Sequence, residues 1–132
     1  MEPAEIQDLC RYRLEKARDE LSTSTILIGH NKFSQSINRS YYAVFQATRA
    51  LLALERFDSK KHSSIISYFG KHFIAPGKIP QIYHEILTGA FKIRNLSDYD
   101  DYYVATKDEA ENQNRQAEHF VDFIGSFVSS IL

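Results

Sequence analysis

The chain has 132 residues, of which 43% are hydrophobic and 25% charged, with a net charge of -1 at neutral pH. That is one ordinary domain, residues 1–132, able to bury a single core without disulfide staples. Bulk charge marks neither a nucleic-acid binder nor a membrane-surface protein, and no apolar run reaches the roughly 20 residues a membrane span requires.

Charge is unevenly placed. From Arg56 to Arg94 there are seven Lys or Arg against two acids, whereas Asn95 to Leu132 carries eight acids against two bases, so the middle is basic and the end acidic. The single cysteine, Cys10, has no internal partner and falls on an apolar helical face, which reads as a buried thiol in a reducing, cytoplasmic setting. The start, Met-Glu-Pro-Ala-Glu, is acidic where a signal peptide would be basic.

The punctuation divides the chain into five helical segments. The first follows Pro3, carries Ile6, Leu9, Cys10, Leu14, Ala17 and Leu21 at spacings of three and four, and is expected to stop at Gly29. The second runs from about Lys32 to Glu55. Its apolar positions, from Phe33 through Ile37, Tyr41, Val44 and Leu51, are joined by Tyr42, Ala43, Ala47, Ala50 and Ala53, so it is apolar around most of its circumference and belongs at the centre of a bundle.

Ser59 is expected to cap the third segment, in which Ile65, Ile66, Phe69 and Phe73 repeat until Pro76-Gly77. The fourth starts near Pro80 and carries Ile82, Tyr83, Ile86, Leu87, Ala90 and Ile93, placing Arg94 at the edge of its buried stripe. The fifth opens on Thr106-Lys107-Asp108-Glu109, the pattern of a capping box, and continues through Ala117, Phe120, Val121, Ile124 and Val128. No apolar-polar alternation long enough for a strand occurs, so the expected fold is an all-α, up-and-down bundle of about five helices.

Chemistry concentrates at Arg94-Asn95-Leu96-Ser97-Asp98-Tyr99-Asp100-Asp101-Tyr102-Tyr103, where the fourth apolar pattern runs out. Arg94 can hold a phosphate bidentately and stays charged at any relevant pH. The competing reading is an ion pair one helical turn long with Asp98. Asn95 is equally suited to ending a helix. The three aspartates lack the glycine punctuation of a calcium loop and read as a solvated acidic turn. Tyr99, Tyr102 and Tyr103 can stack on bases or simply cover the bundle.

Lys60 and Lys61 oppose the dipole of the helix they would begin, so stability does not account for them, and with His62, Lys71, His72 and Lys78 they form a basic strip that reads as a solvated face or as a surface for RNA or a partner's acidic patch. His30, His62, His72, His84 and His119 have no metal-ligand spacing, and no phosphate loop or nucleophile elbow is present. No metal and no cofactor is expected.

Three stretches together, Asn38-Arg39-Ser40-Tyr41-Tyr42-Ala43-Val44-Phe45 and its continuation to Leu52, Lys61-His62-Ser63-Ser64-Ile65-Ile66-Ser67-Tyr68-Phe69-Gly70, and Arg94-Asn95 with Asp98 to Tyr102, resemble the stand-alone HEPN-domain family of prokaryotes. The resemblance implies a helical bundle forming a symmetric homodimer. It also implies a partner, a small nucleotidyltransferase with which such proteins make a toxin-antitoxin pair. Several members of the family are metal-independent RNases with an Arg, a polar residue directly after it, and a histidine separated from the Arg by a gap of four to six residues. Arg94 and Asn95 match the first half of that pattern, and the histidine positions hold Tyr99, Asp100 and Asp101.

The expectation is therefore a dimeric, cytoplasmic HEPN bundle in which Arg94, Asn95, Asp98, Tyr99 and Tyr102, with Lys60 and Lys61, bind RNA or a nucleotide. The alternatives are an endoribonuclease in which Tyr99, Asp98 or a more distant histidine replaces the missing one, and a purely structural interaction module. With a nucleotidyltransferase present, Tyr99, Tyr102 and Tyr103 become candidate acceptors of a nucleotidyl group.

Overall fold

The computed structural model covers residues 1–132 and contains five α-helices and no strand. They are α1 (Pro3–Gly29), α2 (Phe33–Ala53), α3 (His62–Phe69), α4 (Gln81–Tyr99) and α5 (Lys107–Ile131), with one π-helical turn, Gly70–Ile74, continuing α3. The expected all-helical bundle is thus the observed one.

Helix α2 is the hub. It packs against α1, α5 and α4, and its small residues Ala43, Ala47 and Ala50 are fully buried, which lets neighbouring backbones approach. Leu51, Leu52, Phe69, Phe120 and Ile124 fill the centre. Fully burying one such side chain contributes about 1.5–3 kcal/mol, so this one cluster is the main source of stability. Cys10 is buried within it, and burial pushes its thiol up.

Several boundaries differ from the periodicity. Gly29 is the last residue of α1, but the left-handed residue that turns the chain is Asn31, at φ 59°. Asparagine tolerates that region because its short amide can bond locally. Ser59 does not cap α3: Lys61 occupies the cap position without a side-chain bond, and Ser59 Oγ instead accepts from the Lys61 amide at 3.1 Å. Ile79 precedes α4 but is buried all the same, its amide donating to the Phe73 carbonyl at 2.9 Å. The capping box of α5 forms as its pattern predicts, with Thr106 Oγ1 accepting from the Glu109 amide.

The α2–α3 connection is tied down by Asp58, which accepts from Arg13 Nη2 at 3.1 Å and from Arg49 Nη2 at 2.9 Å. Burial alone would raise the Asp58 carboxyl, but the Arg49 hydrogen bond, the Ser59 amide and the charges of Arg49 and Arg13 bring it below its usual value. This anchor fixes where Lys60 and His62 emerge.

A candidate ligand site around Arg94

Residues from α2 and α4 meet at Arg94, whose side chain is only 13% exposed. Its Nε lies 2.9 Å from Asp98 Oδ2, one turn further along α4, so the ion pair expected from spacing is present. That contact is a charge contact only, because the Nε–H is not aimed at the oxygen and makes no hydrogen bond. The aligned bonds go elsewhere: Nη1 donates to Asn95 Oδ1 and Nη2 to the Tyr42 hydroxyl, both at 3.2 Å. A guanidinium has five N–H donors; the Nε–H is buried against Asp98, so one hydrogen on each Nη is left for a ligand.

The tyrosines complete the enclosure. The guanidinium carbon sits 5.6 Å from the ring centre of Tyr41, 5.4 Å from that of Tyr42 and 5.5 Å from that of Tyr99. Each of these rings offers its quadrupole to the cation. Asn38, one turn before Tyr42 on α2, donates through Nδ2 to the same Asp98 oxygen at 2.8 Å. Its own Oδ1 accepts from Arg39, which also donates from Nη1 to both carboxylate oxygens of Glu20 at 3.1 and 2.9 Å. Arg94 is consequently held from α4 and α2 together, and its position does not depend on one rotamer.

Beyond this cluster two open grooves receive the polar ends. One, about 700 Å³, is lined by Phe91, Lys92, Asn95, Leu96, Tyr99 and the Asp100 to Tyr102 turn. Asn95 and Tyr99, which both touch the Arg94 side chain, belong to this lining. Tyr99 and Tyr102 are well exposed, at 72% and 95%. Tyr103 is not equivalent: its hydroxyl donates to Glu109, and burial and that bond push it up to about 12. The second groove, about 670 Å³, is lined by Tyr42 itself with Gln46, Arg49, Lys60 and His62 among others.

Of the residues singled out from sequence, Arg94, Asn95, Asp98 and Tyr99 are brought together. Tyr102 lines the first groove only, Lys60 the second only, and Lys61 neither. Asp98 is engaged inside the cluster, which leaves it a positioning role. Sequence reasoning missed Asn38 and Tyr42 as site residues and placed His62 only in the basic strip. Asn38 and Tyr42 carried a signal, being polar groups one turn apart on the hub helix. His62 carried none beyond its basic neighbours. Its ring stacks on Phe45 at 4.2 Å, and burial, then the charges of Arg94 and Arg49, pull its pKa down.

Known proteins resemble this chain over most of its length. The profile described as the HEPN domain matches residues 10–127. A Methanocaldococcus jannaschii protein bearing the name "Putative toxin" is 34% identical over 97% of this chain and 95% of its own length. Proteins named "UPF0332 protein" from Gloeobacter violaceus and Thermotoga maritima are 40% identical over 72% of each chain and 25% identical over 96% of each chain, respectively.

Proposed function

The chain belongs to the HEPN domain family, and on that premise we propose that it is a toxin-type component whose Arg94 cluster binds a phosphate of RNA, working with a nucleotidyltransferase partner. The observation that carries the reading is the Arg94 guanidinium, mostly withdrawn from water, ringed by three tyrosines and left with an uncommitted hydrogen on each Nη. A purely structural arginine would be expected to saturate more of its donors at that depth. Phosphate is the matching ligand, since it accepts from a planar fork and its charge is worth more in a partly dry setting.

Binding is favoured over cleavage because no histidine stands at Tyr99, Asp100 or Asp101, where the RNase members of the family carry one. Neither phenol nor carboxylate shuttles protons well near neutrality. The homodimer is part of the same proposal, with the two Arg94 clusters facing a shared cleft. Exposed Tyr99 and Tyr102 fit a further role as acceptors of a nucleotidyl group, the phenol oxygen bonding to the nucleotide's α-phosphorus while pyrophosphate leaves and the proton goes to solvent. Tyr103, held by Glu109, does not fit it.

The decisive experiment measures binding of a labelled single-stranded oligoribonucleotide by fluorescence polarisation at fixed salt. Arg94→Ala should weaken it by at least tenfold, and Arg94→Lys should recover little of that, because an ammonium cannot reproduce the fork. Unchanged affinity in folded Arg94→Ala would overturn the reading. RNA cut in the presence of chelator by the native protein, and left intact by Arg94→Ala, would replace binding by catalysis.

A further inference from the structure

We infer that the groove between α2 and the start of α3 is a second phosphate subsite, formed by the Nε2–H of His62 and the ammonium of Lys60, which takes the phosphodiester next to the one held at Arg94 on a single-stranded RNA. The inference deepens the reading of the Arg94 cluster and rests on it for the identity of the ligand.

The reasoning starts from Tyr41. This side chain is 1% exposed, and the sole hydrogen-bond partner of its hydroxyl is His62 Nδ1, at 2.7 Å. A buried hydroxyl proton with a single acceptor within reach goes to that acceptor. Burial also raises the tyrosine above its ordinary range, so the proton stays on the phenol side. A neutral imidazole carries one N–H; with Nδ1 accepting, that proton lies on Nε2. Tyr41 thereby chooses the tautomer, and the ring nitrogen left for the groove is a donor.

Burial first, and then the charges around the ring, disfavour its protonated form. Arg94 on α4 and Arg49 on α2 both oppose a second proton, and the one acid lining the groove, Asp58, is already bonded to Arg49 and Arg13. The groove therefore presents an N–H from His62 and the cation of Lys60, an exposed lysine engaged in no ion pair. One acceptor accompanies them. Gln46 lines the groove and its Oε1 is buried without a partner, so a turn of its amide would offer an acceptor to a ribose 2′-hydroxyl or a base N–H. A site made of two donors for phosphate and one acceptor for a sugar or base matches a nucleotide unit better than it matches a simple anion.

Tyr42 joins this groove to the Arg94 cluster. Its ring lies 5.4 Å from the Arg94 guanidinium and 5.9 Å from the His62 ring, so the two donor groups flank one side chain. With its proton on Nε2, His62 cannot act as a base toward the groove, so this subsite holds the strand and does not cut it.

The test is polarisation binding of labelled oligouridylates with one, two and three phosphodiesters, with ATP as a separate competitor. In the native protein the second phosphodiester should raise affinity by about tenfold. His62→Ala and Lys60→Ala should remove that gain while leaving the one-phosphate ligand unaffected, and Lys60→Ala should lower the salt slope by about 0.7. A gain that persists in His62→Ala overturns the subsite. So does ATP binding that depends on His62 while RNA affinity does not rise with length. Nitrogen-15 NMR of His62 reads the tautomer directly: the proton on Nε2, lost to a mixture in Tyr41→Phe, supports the assignment, and a native ring protonated on Nδ1 overturns it. Binding lost in His62→Ala but unchanged in Arg94→Ala would reject the Arg94 reading alone and leave the subsite standing by itself.

Discussion

Tyr42 accepts a hydrogen bond from Arg94 Nη2 at 3.2 Å across 52 positions of sequence, and so locks the end of α4 onto the hub helix. Both residues are also in contact through the tyrosine face, so the pair is polar and aromatic at once. Removing the hydroxyl in Tyr42→Phe should cost about 0.5–1.5 kcal/mol. Arg94→Ala should cost more, about 1–3 kcal/mol, because it leaves the Asp98 carboxylate without its cation. A denaturant double-mutant cycle on the pair checks this; additive effects would mean that the hydroxyl and the guanidinium are not coupled.

Tyr103 and Glu109 supply a pH signature at both ends of the scale. The Tyr103 hydrogen bond, opposed by burial, lowers the Glu109 carboxyl below its reference of 4.5, so its contribution is present above that pH and fades as pH falls through the lower folded value. Tyr103 is raised from 10.0 to about 12, so its contribution is complete below pH 10 and lost as pH rises through about 12. Tyr103→Phe should remove the Tyr103 share of the alkaline loss, leaving that of Tyr41 and Tyr68, and raise the Glu109 midpoint, measured by carboxyl carbon-13 NMR.

His62 and His84 both titrate below 6.5 in the folded protein, burial being the leading cause in each. Their depressed values mean that the unfolded chain takes up protons first, so stability should fall as pH drops below 6.5. Thermal unfolding between pH 7 and 5 should show the loss, and His62→Gln should flatten part of it.

Gly70 opens the π-helical turn against His84. A Cβ built there would lie 2.9 Å from the His84 ring carbon Cε1, closer than such contacts occur. Gly70→Ala should destabilise by about 1–3 kcal/mol, and adding His84→Ala should relieve most of the Gly70→Ala penalty. Equal penalties in the two backgrounds would show that some contact other than His84 sets the cost.

Thr106→Ala removes one half of the α5 capping box and should cost about 1 kcal/mol. Serine at the same position should restore most of it, which separates the cap from any packing role.

The α5 boundary, the α2 hub, the absence of strands and the Arg94–Asp98 pair were all legible in sequence, because each depends on spacing within one helix. A period near 3.6 records which residues share a face, and a capping box records where a face begins. The α3 cap was misread because Ser59 satisfies an amide in the turn before the helix, and a side chain that bonds one backbone group is unavailable to another. What lies around Arg94 is of another kind. Asn38, Tyr41, Tyr42 and His62 reach it through packing of α2, α4 and α3, and no periodicity within any one of those helices encodes which neighbour it will face. Local propensity determined five helices and one ion pair in this protein. The tertiary arrangement alone decided that a polar helix end would become an enclosed guanidinium, and that a histidine 32 positions before it would stand beside the same tyrosines.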